Sequence, residues 1–141
     1  MKRVRAVIIQ DNKVLTMKRT KPNETYWVIP GGGVEDKETN EEALTREIKE
    51  ELGVDIKIDK LILEMSSKKP ETINQKEYFY LCSIKGGKMG MGEGPEYKED
   101  SKYVGTHDIE WLNIKDLLNY DLRPEDIKDL IYNLYSHELK N

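Results

Sequence analysis

The stretch GGVEDKETNEEALTREIKEELGV, residues 32–54, decides how this chain is read. Its second half predicts a helix over 39–52. Thr39 is placed to cap it, Glu42 three residues on completes a capping box, and Gly53 suits the left-handed residue that ends a helix. On a helical wheel at about 100° per residue, with Ala43 as zero, Glu50, Glu47 and Glu51 fall at about 340°, 40° and 80°. Leu44, Ile48 and Leu52 follow at about 100°, 140° and 180°. Three carboxylates therefore share one face, and that face adjoins the apolar stripe instead of opposing it.

Such clustering is unfavourable by itself. Glu47–Glu50 and Glu47–Glu51 are like-charge pairs, each destabilising an isolated helix by about 0.2–0.5 kcal/mol. They also lie toward the negative end of the helix dipole. Arg46 offsets part of this through Glu42 or Glu50. A hard divalent cation would resolve the repulsion. Carboxylate oxygens suit Mg²⁺ or Mn²⁺, and Mg²⁺ keeps waters and accepts phosphate oxygens as further ligands. The wheel alone also leaves a plain solvated helix end open, because the chain is rich in glutamate.

Upstream, PGGGVE connects a strand to this helix. Three glycines free the backbone to approach a ligand closely and to expose N–H and C=O groups; a tight turn is the simpler alternative. No Gly-Lys-Ser/Thr follows, so this is not a Walker loop, and it does not fit a dinucleotide fingerprint. Residues 31–38 are expected as a loop. Around this centre, RVRAVIIQ (3–10) and KVLTMKR (13–19) predict a hairpin turning at Asp11-Asn12. YWVIP (26–30), 54–67, 75–86 and 108–114 predict further strands. GGKMGMGEGPEYKEDS (86–101) predicts a glycine-rich acidic loop, IKDLLNY a short helix, and Pro124 the first turn of a last helix over 124–138. The whole is a mixed α/β arrangement, expected as a single domain over 1–141.

Composition narrows the function classes. The net charge is −4, which argues against nucleic acid as the main partner. A single cysteine, Cys82, allows no internal disulfide and no zinc–thiolate cluster, and it reads as a small buried hydrophobe. No apolar run approaches the roughly 20 residues of a membrane span, and no secretory leader is visible, so the cytoplasm is the expected location.

Taken together, the helix and its glycines resemble the Nudix box, G-x5-E-x7-R-E-U-x-E-E-x-G-U with U aliphatic. Gly32, Glu38, Arg46, Glu47, Ile48, Glu50, Glu51, Gly53 and Val54 fill every fixed position. At ordinary residue frequencies such a match arises by chance about once in 10⁸ windows. WVIPGGGVE before the box and EWLNIKDLL with RPEDIKDLI after it are also similar to the family, so the resemblance covers nearly the whole chain, with 30–54 as its specific part. It implies the Nudix fold, a mixed β-sheet sandwiched between α-helices, and Mg²⁺-dependent hydrolysis of a nucleoside diphosphate linked to a further group X. By position it implies Glu47, Glu50 and Glu51 as metal-binding and catalytic carboxylates, with Glu47 polarising the attacking water. Arg46 would orient them with Glu38 as partner, and the carbonyl of Gly31 or Gly32 would complete the shell.

These roles suit the chemistry. Water must attack an electron-rich phosphorus, so neutralising charge is the main need. No Ser/His/Asp or Cys/His set offers another nucleophile, and His107 and His137 are the only histidines. A further acidic residue from a later segment is expected at the metal, Glu96 first, with Glu93, Asp108 and Glu110 as alternatives. Substrate contacts are expected from Gly32, Gly33, Glu38, Arg5, Arg19 and Trp27. Tyr26, Tyr78, Tyr80 and Trp111 are further aromatic candidates for a base. Small size resembles the MutT-type branch, which acts on nucleoside triphosphates or their oxidised forms. Pro70, 16 residues past Val54, instead resembles ADP-ribose hydrolases. A nucleotide sensor without catalysis is the third reading. The sequence leaves a homodimer open, with the early strands as its candidate interface.

Overall fold

The computed structural model describes residues 2–67, 70–90 and 106–139. In chain order its strands are β1 (Lys2–Gln10), β2 (Lys13–Lys21), β3 (Glu24–Val28), β4 (Gly31–Gly33), β5 (Val54–Ser66), β6 (Lys76–Gly87), β7 (Thr106–Asn113) and β8 (Leu122–Arg123). The helices are α1 (Asn40–Leu52) and α2 (Glu125–Leu139). Two compact units emerge: Met1–Ile8 with Pro30–Ser101, and Ile9–Ile29 with Lys102–Asn141.

In the first unit β1 is flanked on both sides. It runs parallel to β6, from Lys2↔Lys76 to Ile8↔Cys82, and antiparallel to β4, with Val4↔Gly32 at the centre. β5 pairs antiparallel with β6, with register shifts between Asp55/Ile56, Ile58/Lys60 and Leu61/Leu63. The sheet is therefore mixed. Val4, Ala6, Val7, Ile8 and Phe79 are buried, as are Ala43, Leu44, Ile48 and Leu52 of α1. Each large aliphatic or aromatic side chain removed from water in this way contributes about 1.5–3 kcal/mol. The apolar stripe read from the wheel is the buried face of α1.

α1 begins as its residues dictate. Thr39 accepts from the Glu42 N–H, and the Glu42 carboxylate accepts from the Thr39 N–H at 2.9 Å, closing the capping box. Glu42 is thus committed to the cap, which leaves Glu50 as the Arg46 partner of the two expected. At the other end Gly53 is left-handed, φ 81°, and its N–H donates to the Lys49 carbonyl.

In the second unit Asp11 and Asn12 have φ of 52° and 64°, as a tight two-residue hairpin turn requires, and Ile9↔Val14 closes the β1–β2 ladder. β2 pairs antiparallel with β3 on one side and with β7 on the other. β8 is parallel to β3. Ile114–Asn119 form a 3₁₀ helix, and Ile127 and Ile131 bury one face of α2.

Two expectations change. Residues 31–33 are a strand, not loop: glycine carries no strand signal of its own, and the pairing with β1 is what extends them. The last helix begins at Glu125, with the Pro124 carbonyl accepting from Ile127 and Lys128. β1 and β2 are each hydrogen-bonded to neighbours on both sides. Among the described residues no helix is long and apolar enough to cross a membrane.

Candidate active site

The carboxylate end of the first unit is organised by Arg46. Its Nε and Nη2 donate to the two oxygens of Glu38, both at 2.8 Å, in the forked geometry that makes arginine–carboxylate pairs strong. Nη2 also donates to the Gly33 carbonyl at 3.1 Å, while Nη1 donates to Glu47 at 3.0 Å and to Glu50 at 3.4 Å. One side chain thus ties together the segment after β4, the end of β4 and two turns of α1. The guanidinium is stabilised as a cation, first by the Glu38 hydrogen bond, against the opposing cost of partial burial. The Arg46 hydrogen bond, with help from the Glu35 N–H, holds the Glu38 carboxyl down at about 2.

Solvent access grades across the acidic face. Glu50 is 42% exposed, Glu47 19%, and Glu51 only 4%. Glu51 Oε1 is a buried oxygen that no hydrogen bond reaches, although the residue is engaged through other contacts. Glu47 lies directly against β4: a Cβ on Gly32 would collide with its carboxylate, coming within 2.6 Å of Oε1. A side chain at 32 would therefore push the Glu47 carboxylate out of its place against β4.

The donor set fits a hard divalent cation in type, since every side-chain ligand offered is a carboxylate oxygen beside a backbone-rich strand. It is not a preformed cage: among the described residues no group of three or more acidic, histidine or cysteine side chains is arranged to hold a metal ion.

The remaining candidates are distributed. Arg5 lies on β1 opposite Gly31 in the first unit. Arg19 and Trp27 belong to the second unit, Arg19 opposite Tyr26 and His107 in register. The Trp27 indole donates to Glu110 at 3.3 Å, stands edge-on to Tyr120 at 5.0 Å and lies beneath the Lys18 ammonium at 5.7 Å. Asp108 sits opposite Lys18. Tyr26 and Tyr80 are mostly buried, and Tyr80 accepts from Asn40. Glu93 and Glu96 lie outside the described residues, as do the side chains of His107 and His137. Sequence reasoning missed Glu35 and the Gly33 carbonyl as Arg46 partners; PGGGVE placed both near the box, but only the fold of β4 shows that they face it.

Comparison with known proteins agrees with this frame. The NUDIX domain family matches residues 1–133. An ADP-ribose pyrophosphatase of Methanocaldococcus jannaschii is 35% identical over 68% of this chain and 58% of its own length. The nucleoside triphosphatase NudI of Escherichia coli is 32% identical over 74% of this chain and 73% of its own. A nudix hydrolase of Caenorhabditis elegans is 32% identical over 76% of this chain, which spans only 26% of that protein. Among solved structures, MutT from Aliivibrio salmonicida and Vibrio cholerae superposes with a TM-score of 0.68 at 20% identity, covering 94% of this chain and 95% of the other. A UDP-X diphosphatase gives 0.68 at 21%, covering 98% and 64%. The chain belongs to the Nudix hydrolase family, and its mixed sheets with helices are the α/β fold of that family.

Proposed function

We propose that this protein is a Mg²⁺-dependent pyrophosphohydrolase of nucleoside diphosphates linked to X, acting on ordinary or oxidised nucleoside triphosphates and releasing the monophosphate and pyrophosphate. The observation that carries the reading is the Arg46 clamp on Glu38, Glu47 and Glu50, formed by residues that occupy the family's box positions. The triphosphatase relative, matched over most of both lengths, supports the choice of substrate. Both units are taken as one Nudix domain because the family match runs through both. The cytoplasm is its proposed location.

Glu47, Glu50 and Glu51 would hold the cation, with the Gly31 carbonyl and Glu96 as further ligands; Mn²⁺ can take the place of Mg²⁺. A divalent cation, when bound, neutralises phosphate charge and lowers the pKa of coordinated water. Glu47 accepts the proton of the attacking water at a carboxylate oxygen. Arg46 keeps Glu47 and Glu50 aimed, and Glu38 keeps Arg46 in place. Gly32, Gly33, Glu38 and Arg5 are the proposed substrate contacts of the first unit.

The test is a substrate panel with Mg²⁺: ordinary and oxidised (d)NTPs, ADP-ribose, other nucleotide sugars and dinucleoside polyphosphates, with products resolved by chromatography. Monophosphate plus pyrophosphate from a triphosphate is expected. AMP plus sugar phosphate would favour the second reading, an ADP-sugar pyrophosphatase, which the archaeal relative and Pro70 support. Nucleotide binding without turnover of any compound would overturn both and leave a nucleotide sensor.

A further inference from the structure

The C-terminal end of α1 is closed by a segment far from the box. Gly87, the last residue of β6, has φ 86° and pairs with Val54 of β5, with its α-carbon turned toward the Gly53 carbonyl. A Cβ at 87 would stand 2.5 Å from the Gly53 carbonyl oxygen and 2.8 Å from the Val54 Cα, both rigid backbone atoms. Just beyond, the Lys88 N–H donates to the Gly53 carbonyl at 3.1 Å and the Gly90 N–H to the Leu52 carbonyl at 2.8 Å. These bonds satisfy two carbonyls that a helix end otherwise leaves to water. The exposed Lys49–Asp55 ion pair, at 3.5 Å, adds one weak side-chain tie to the same corner.

We propose that Gly87 is a positioning residue for the carboxylate face: the backbone contact it permits sets where the last turn of α1 ends, and so where Glu50 and Glu51 present their oxygens to a divalent cation. The inference rests on the metal-site reading above. Its physical basis is that this turn has no slack. Leu52 is fully buried and Glu51 nearly so, and a helix end displaced by a side chain at 87 moves both, while neither side chain has room to re-aim. Gly90 supplies an internal control. It is also left-handed, φ 89°, but a Cβ there meets nothing within 4 Å.

The experiment compares Gly87→Asn with Gly90→Asn, because asparagine tolerates left-handed backbone and the two variants then differ in crowding. Mn²⁺ alone is titrated and free ion followed by electron paramagnetic resonance, with far-UV circular dichroism as the fold check. G87N is expected to weaken Mn²⁺ binding by about 10-fold, the size of effect seen when support for metal ligands is lost, and G90N to leave it unchanged. With a hydrolysed nucleotide, G87N should lower kcat more than it raises KM. A folded G87N that binds Mn²⁺ as tightly as the parent overturns the proposal alone. G87N failing to fold while G90N folds also overturns it, since the contact would then serve folding. A parent protein that binds no Mn²⁺ overturns the metal-site reading itself.

Discussion

Arg46 in the first unit and Arg123 in the second each hold one carboxylate with two nitrogens and reach at least one more. Arg123 grips Asp121 through Nε at 3.2 Å and Nη2 at 2.9 Å, touches Glu24 at 3.2 Å and lies 4.0 Å from the Tyr26 ring centre. Its principal partner is two residues away and 54% exposed. Arg46 reaches Glu38, Glu47, Glu50 and the Gly33 carbonyl, and its principal partner is 18% exposed. The two differ in which parts of the chain are joined and in how much water screens them. The Arg123 cluster decorates a strand end, and exposed pairs of that kind contribute about 0–1 kcal/mol. The Arg46 cluster gathers the acidic side chains of a helix end and fixes their directions.

The sharpest way to break the comparison is to remove the most buried charge of the acidic face. Glu51→Gln keeps shape and should leave the fold intact. Turnover should fall by more than about 100-fold, since even the outer partners of a metal ligand cost 10–100-fold. Normal kcat with Mg²⁺ in that variant would remove Glu51 from the site. Next, Arg46→Lys and Arg123→Lys make the same exchange in both clusters. Lysine cannot reproduce the fork. R46K should lose about 10–100-fold in kcat/KM and R123K should stay near the parent, so equal losses would erase the distinction drawn between them.

A smaller effect separates helix stability from helix chemistry. Thr39→Ala removes the cap at the end of α1 remote from the carboxylates and should cost about 1 kcal/mol, read as a lower urea midpoint, with kcat preserved under folding conditions. The smallest concerns acid. The Glu38 carboxyl sits at about 2 in the folded chain against an ordinary 4.5, so the unfolded chain takes up this proton first as pH falls. Its contribution to stability is complete above 4.5 and is lost as pH falls toward and through 2. In urea titrations across that window, Glu38→Gln should flatten the loss of stability relative to the parent; identical slopes would show the clamp is not what holds Glu38 ionised.

Much of α1 was legible because its signals are local. Thr39, Glu42 and Gly53 act within one helix turn of each end, and the alternation of Leu44, Ile48 and Leu52 with the glutamates is a property of the helix alone. What stayed hidden depends on distant partners. Gly31–Gly33 become a strand only because β1 is beside them. Leu122–Arg123, two residues long, owe their strand geometry to β3. The Trp27–Glu110 bond joins residues 83 positions apart, and no local pattern announces it. Gly87 read as part of a loop, whereas its position against Gly53 closes the end of the helix that carries the acidic face.

Cys82 has a use unrelated to the site. It is the only cysteine in the chain, is 3% exposed and pairs on one side with Ile8 of β1 and on the other with Ile58 of β5. Burial pushes its thiol up to about 12, so in the native state it is both shielded and protonated. Labelling by a thiol reagent must then wait for the first unit's sheet to open, and its rate reports how often that happens. Both tryptophans, Trp27 and Trp111, belong to the second unit. The chain therefore carries a chemical clock in one unit and a fluorescent one in the other, and mild denaturant would show whether the two run at the same rate.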